Sequence, residues 1–243
     1  MAVRSFRFFA LLLPSLLLLS CSDNCTNVAL SGRLTSESRV VGLFRAINLK
    51  SGATVYVSIA DSQTVRVEAD ENVIGKMTTH VHDGVLTIGT VPGACSDGST
   101  PMTVYVTLPA LRSIDLDGSG KVSVAGRVAG DSLRLAMTGS GVLDVEAETA
   151  VALETIISGS GIIMLRGTAR LHSVRLDGSG IVSAFDLPAA RTSVRLGGSG
   201  IVRVMVRDEL HVALSGSGLV EYQGEPAILD IQVSGSGRVV RVR

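Results

Sequence analysis

The sequence predicts an all-β chain wound as a β-helix, a solenoid with coils about 20 residues long. Three observations carry that expectation. The triplet Gly-Ser-Gly occurs seven times, at Gly118-Ser119-Gly120, Gly139-Ser140-Gly141, Gly159-Ser160-Gly161, Gly178-Ser179-Gly180, Gly198-Ser199-Gly200, Gly216-Ser217-Gly218 and Gly235-Ser236-Gly237, at spacings of 18 to 21 residues. Around every triplet, columns two residues apart are nearly all apolar: Leu116, Met137, Ile157, Leu176, Leu196, Leu214 and Val233 on one side, Val122, Leu143, Ile163, Val182, Val202, Val220 and Val239 on the other. Helical periodicity is weak, whereas β-branched residues and period-two alternation dominate.

In chain order, residues 1–20 read as an export signal outside the fold. Arg4 and Arg7 make a basic start, and Phe8 to Leu19 is an apolar run shorter than the roughly 20 residues of a membrane span. Leu18-Leu19-Ser20-Cys21 resembles the bacterial lipobox, which implies cleavage before Cys21 and acylation of that cysteine, palmitate included. An ordinary signal peptide followed by a chance cysteine is the alternative. Each buried methylene contributes about 0.8 kcal/mol, so several acyl chains would make a stable anchor. The expected address is the cell envelope beyond the inner membrane. Ser22, in place of the aspartate that retains enterobacterial lipoproteins, points to the outer membrane. Residues 21–35 read as a linker. With Cys21 acylated, Cys25 and Cys95 remain for a disulfide in an oxidising compartment; two free thiols are the alternative.

Residues 36–243 read as one β-helical domain. Residues 40–49 look extended, and Thr54 to Ile59, Val65 to Ala69, Val85 to Ile88 and Val104 to Leu108 are expected strands. Turn signals separate them at Lys50-Ser51-Gly52, Asp70-Glu71-Asn72 and Asp83-Gly84, and in the Gly/Ser/Asp-rich loop from Pro92 to Pro101 that holds Cys95. Residues 110–243 form the periodic array. One unit carries two short strands with a single apolar face, which it cannot bury alone. Stacking like residues over like closes a continuous core, each rung rising about 4.8 Å. The triplet is then a corner: glycine adopts positive φ without steric cost, and serine can bond a neighbouring backbone group or the serine of the next rung.

Readings that would make the triplet a chemical site fit poorly. A phosphate-binding loop needs Gly-x-x-x-x-Gly-Lys-Ser/Thr before a helix; that pattern is absent, and no helix is expected to follow. Asp115-Leu-Asp117-Gly-Ser-Gly opens like a calcium loop, but its twelfth position is Gly126 rather than glutamate. A nucleophilic serine needs one special copy beside a base, yet His80, His82, His172 and His211 do not follow the triplet register. His80 and His82 could share a strand side, but no third zinc ligand is fixed near them. No catalytic, cofactor or metal residue is therefore assigned.

Glu37-Ser-Arg39-Val-Val-Gly-Leu-Phe44-Arg-Ala-Ile47, then Ala53-Thr-Val-Tyr-Val, Val65-Arg-Val-Glu-Ala-Asp70-Glu71-Asn72, Asp83-Gly84-x-Leu86-x-Ile88, Leu111 and the repeated Gly-Ser-Gly together resemble the "putative auto-transporter adhesin, head GIN domain" family. The resemblance covers about residues 36–240. It implies a right-handed β-helix and an envelope location, and it brings no catalytic residue with it.

Lysine plus arginine equals aspartate plus glutamate, 22 of each, so no broad pull toward nucleic acid is expected. The leading expectation is a non-enzymatic envelope lipoprotein that presents a β-helical surface as an adhesin or scaffold. A polysaccharide-binding or polysaccharide-processing β-helix is the first alternative, with Arg134, Arg166, Arg175, Arg195 and Arg203 recurring at outward positions; the absence of tryptophan weighs against sugar stacking. The second alternative is a self-assembly or partner-docking module, because Arg238-Val-Val-Arg-Val-Arg243 lies on a strand without a capping helix.

Overall fold

The computed structural model describes residues 26–27, 29–92, 94–95 and 101–243. Residues 1–20, read from the sequence as an export signal, lie outside the described residues, as do Cys21 and Cys25.

The array folds as the repeat predicts. The strands β1 (Thr26–Asn27), β2 (Leu34–Ser38), β3 (Ala46–Leu49), β4 (Thr54–Ile59) and β5 (Thr64–Asp70) precede a single turn of helix, α1 (Glu71–Ile74). After it come β6 (Met77–His82), β7 (Val85–Thr90), β8 (Ala94–Cys95), β9 (Thr103–Leu108) and β10 (Ser113–Gly118). Long, bent strands follow: β11 (Lys121–Gly139), β12 (Val142–Gly159), β13 (Ile162–Gly178), β14 (Ile181–Gly198) and β15 (Ile201–Gly216). The stack ends with β16 (Leu219–Gln223), β17 (Ile228–Gly235) and β18 (Arg238–Arg241).

Two parallel stacks result, one on each side of the Gly-Ser-Gly corner. Before the corner lie β7, β3, β10, the second halves of β11 to β15, and β17. After it lie β9, β4, the first halves of β11 to β15, β16 and β18. Inward columns such as Ile114–Leu135 and Leu143–Ile163 are wholly buried.

Spatial order departs from chain order at the start. β3 and β4 form a rung, and the chain then leaves it. It builds a cap from β5, α1 and β6, returns beneath the first rung as β7 and β9, and climbs past it through residues 109–112 to β10. In the cap, β2 is antiparallel to β5, β5 to β9 and β6 to β7. Asp70 fixes the turn into the helix by accepting from the Asn72, Gly32 and Ser31 amides at 2.9, 2.8 and 3.2 Å. Antiparallel strands here close the end of the parallel core against further stacking.

Of residues 40–49, read from the sequence as extended, only Ala46–Leu49 form a strand, and residues 40–44 are a loop. The Gln63 carboxamide holds that loop, accepting from the Phe44 amide at 3.1 Å and donating to the Gly42 carbonyl at 3.0 Å. These bonds satisfy backbone groups that a ladder would otherwise take.

A short third face is added higher up, where Val128 pairs with Ala147, Ala147 with Gly167, and Ala169 with Ala189. Every register shift among β11 to β15 falls on or beside it, including those at Val124/Val128, Thr149/Ala152 and Ala184/Pro188. The corner keeps unbroken register from Gly118 to Gly139, Gly159, Gly178, Gly198, Gly216 and Gly235. Unequal coil lengths are thus absorbed on one side, while the corner pins the stack.

Candidate functional site: the corner and the outward faces

The two glycines of a corner answer different constraints. Gly139 has φ of 117°, and a Cβ built on it would come 2.6 Å from the Gly118 carbonyl oxygen. Gly218 is buried, and its Cβ would lie 2.7 Å from the Gly200 oxygen and 2.6 Å from Leu196 Cδ2. The first glycine meets both a conformational and a contact limit; the third meets a contact limit. The serine between them is exposed in all seven copies. Its amide carries the ladder, Ser140 to the Gly118 oxygen and Ser199 to the Gly178 oxygen, each at 3.0 Å. Hydroxyl-to-hydroxyl bonding is much sparser than a full serine ladder: among the described residues only Ser217 and Ser236 meet, at 3.0 Å.

The five outward arginines do not converge. Arg134, Arg175 and Arg195 stand on the stack before the corner, whereas Arg166 and Arg203 stand on the stack after it. Four of them meet a carboxylate: Arg134 with Glu154 at 2.9 Å, Arg166 with Asp144 at 2.5 Å, Arg203 with Glu221 at 2.7 Å and Arg175 with Asp177 at 2.7 Å. Except for Arg175 and Asp177, the partners belong to neighbouring rungs. Exposed pairs of this kind contribute at most about 1 kcal/mol each. Their larger effect is to balance the faces locally. Arg195 alone of the five has no carboxylate partner among the described residues. It separates two shallow troughs, one of about 390 Å³ over Gly197, Ala213 and Ser234, the other of about 440 Å³ beside Ser193, His211 and Asp230.

Ser193, His211 and Asp230 stand in register on successive rungs. The trio has the composition of a hydrolytic triad, a juxtaposition that aligning the columns outward of the apolar ones would have exposed. Its geometry is different. His211 Nε2 lies 2.6 Å from Glu209 Oε1 and Nδ1 lies 3.4 Å from Asp230 Oδ2. The bond to Glu209, then that to Asp230, raises the His211 pKa above its ordinary value. With both nitrogens facing carboxylates, the ring favours imidazolium and offers no lone pair to a Ser193 proton. Arg191 completes the cluster at 3.0 Å from Glu209.

His80 and His82 are exposed on β6, and His82 Nδ1 sits 3.2 Å from Asp83. Among the described residues no group of three His, Cys, Asp or Glu side chains is placed to hold a metal ion. Cys95 lies in β8, whose partner is β1, with Asn27 opposite Cys95. An aromatic surface that composition had concealed is also present: Tyr56 and Tyr105 stack at 5.6 Å between centroids, and the Arg66 guanidinium lies 4.1 Å from the Tyr105 centroid.

The described residues thus form a parallel solenoid with glycine corners and, among them, no assembled catalytic group. The family model described as "Putative auto-transporter adhesin, head GIN domain" matches residues 43–226. The chain belongs to that family. No curated protein matches this head GIN chain. Among solved structures it is similar to a putative adhesin from Bacteroides fragilis, with TM-score 0.81 and 19% identity over 89% of this chain and 100% of the other. It is also similar to a putative lipid binding protein from Parabacteroides distasonis, with TM-score 0.76 and 21% identity over 90% and 100%. A putative adhesin from the same organism gives TM-score 0.74 and 25% identity over 89% and 100%. The first two likenesses establish the fold of the head GIN domain; none of the three assigns it a ligand.

Proposed function

We propose that this protein is a non-enzymatic lipoprotein of the bacterial envelope, anchored through acylated Cys21, which presents its solenoid as a surface for adhesion or scaffolding. The observation that carries the reading is the build of the outward faces. They are extended, fixed rung by rung through the corner, and charge-balanced by pairs such as Arg134–Glu154 and Arg203–Glu221. A surface of that kind resists self-aggregation while offering a repeating pattern to a partner. The description of two similar structures as putative adhesins agrees with it.

The anchor is tested by expressing the full chain in a diderm bacterium fed an alkynyl palmitate. Wild type should take up the label and partition into the membrane fraction. Cys21→Ala should lose both properties; a labelled or membrane-bound Cys21→Ala protein would refute the anchor. The non-enzymatic reading fails if the purified protein turns over a polysaccharide and Arg195→Gln abolishes that turnover.

A second reading, self-assembly, is favoured by one feature. Along β17, the residues that continue the apolar columns, Leu229, Ile231 and Val233, are exposed.

A further inference from the structure

We propose that a cleft near the capped end binds an anionic amphiphile, a single acyl chain carrying a carboxylate or phosphate head. The cleft is half open to solvent and has a volume of about 620 Å³, within the usual range for small-ligand sites. It arises where the third face of the solenoid is missing. That face starts its ladder at Val128. Below it, the Gln63-held loop and the 109–112 connection line the cleft instead.

The head group is identified by two arginines. The Arg112 amide donates to the Arg45 carbonyl at 2.7 Å, and the following residues, Ser113 and Ala46, pair in register. Arg45 and Arg112 therefore sit on adjacent rungs, backbones about 4.8 Å apart. Extending the register of Ser113 with Arg134 places Arg112 beneath Leu133, a wholly core residue. Where the next two rungs fill this column with Leu133 and Leu153, these two put guanidinium groups. Both are exposed, and neither meets a carboxylate among the described residues. Four of the five outward arginines do meet one. Two like charges on neighbouring rungs repel, and an anion between them would relieve that. Asp83, also at the rim, already faces His82.

The tail is identified by the walls. Phe44, Ala46, Val85 and Pro109 line the cleft, and Leu43 stands over it. Leu43 and nearby Val40 are 86% and 104% exposed, the highest fractions among the large apolar side chains of the described residues. Exposed apolar residues beside unpaired guanidinium groups form the amphipathic complement of such a ligand.

The test uses the full chain carrying Cys21→Ser, which needs no detergent. Hexadecanoate, hexadecyl phosphate, acetate and hexadecanol are titrated calorimetrically below their aggregation limits. One molecule of hexadecanoate or hexadecyl phosphate should bind per chain, the tighter of the two naming the source of the head group. Acetate and hexadecanol should bind at least tenfold more weakly. Arg45→Gln, Arg112→Gln and Leu43→Ser should each weaken binding about tenfold, with unchanged circular dichroism, and Arg195→Gln should not. The proposal is overturned by equal affinity in the Arg45 and Arg112 variants, by hexadecanol binding as tightly as hexadecanoate, or by attachment only to phosphatidylglycerol vesicles.

Discussion

At the residue scale, the core holds one polar knot. His172 and Thr192 stand in register on adjacent rungs, between Leu153 and Leu210 of the same inward column. His172 Nε2 is 3.1 Å from Thr155 Oγ1, whereas His172 Nδ1 and Thr192 Oγ1 are buried without partners. Burial lowers the His172 pKa from 6.5 to about 4. Because the folded value is the lower one, its effect on stability is absent above about pH 6.5. Between about 6.5 and 4 the unfolded chain binds a proton that the folded chain refuses, and stability falls by about 3 kcal/mol. Urea unfolding at pH 7.5 and 4.5 should show this loss in wild type and a loss smaller by about that amount in His172→Leu; equal losses would mean that His172 titrates normally. Thr192→Val replaces an unpaired hydroxyl with a methyl and should raise stability by about 1 kcal/mol in the same melts.

At the element scale, the corner predicts opposite outcomes for neighbouring residues. Gly198 has φ of 141° and packs on the Gly178 backbone, while Ser199 is exposed. Gly198→Ala should cost about 3 kcal/mol and Ser199→Ala less than about 0.5 kcal/mol, read as a shift of the urea midpoint. Repetition made the corner legible in the sequence, since seven aligned triplets reveal which positions are constrained. The strands of the array were legible for the same reason: alternation and stacking agree at Leu116 and Met137. The capped end was legible only in part. Thr54 to Ile59 reads as a strand from alternation alone, but alternation is silent on its partner. Nothing local states that the β7–β9 rung lies beneath β3–β4. The cleft was invisible for that reason, since Arg45 and Arg112 meet only through a crossing of 67 residues' separation in sequence. The His211 cluster was within reach, because Ser193, His211 and Asp230 share one column, but its Glu209 contact depends on side-chain placement.

At the scale of the whole molecule, the two ends of the stack are unlike. Antiparallel strands close one end. The β17 edge at the other has no further strand among the described residues, and Leu229, Ile231 and Val233 are 47%, 38% and 45% exposed. Their counterparts one rung below, Leu210, Val212 and Leu214, are buried. On the self-assembly reading, a second copy of the chain would cover this edge. A twofold axis through Ile231 would pair β17 antiparallel with its mate, set Leu229 against Val233 and Ile231 against itself, and place Asp230 opposite Gln232 rather than opposite another acid. Such a contact is self-complementary and closed, so it would yield dimers and not fibres. Light scattering on the full chain carrying Cys21→Ser should give twice the monomer mass at micromolar concentration. Ile231→Lys adds a charge at the axis facing its own copy, and should return the mass to that of one chain without altering circular dichroism. A monomeric parent, or a dimer that survives Ile231→Lys, would show that the exposed rung does not self-associate and would leave the solenoid acting as a single copy.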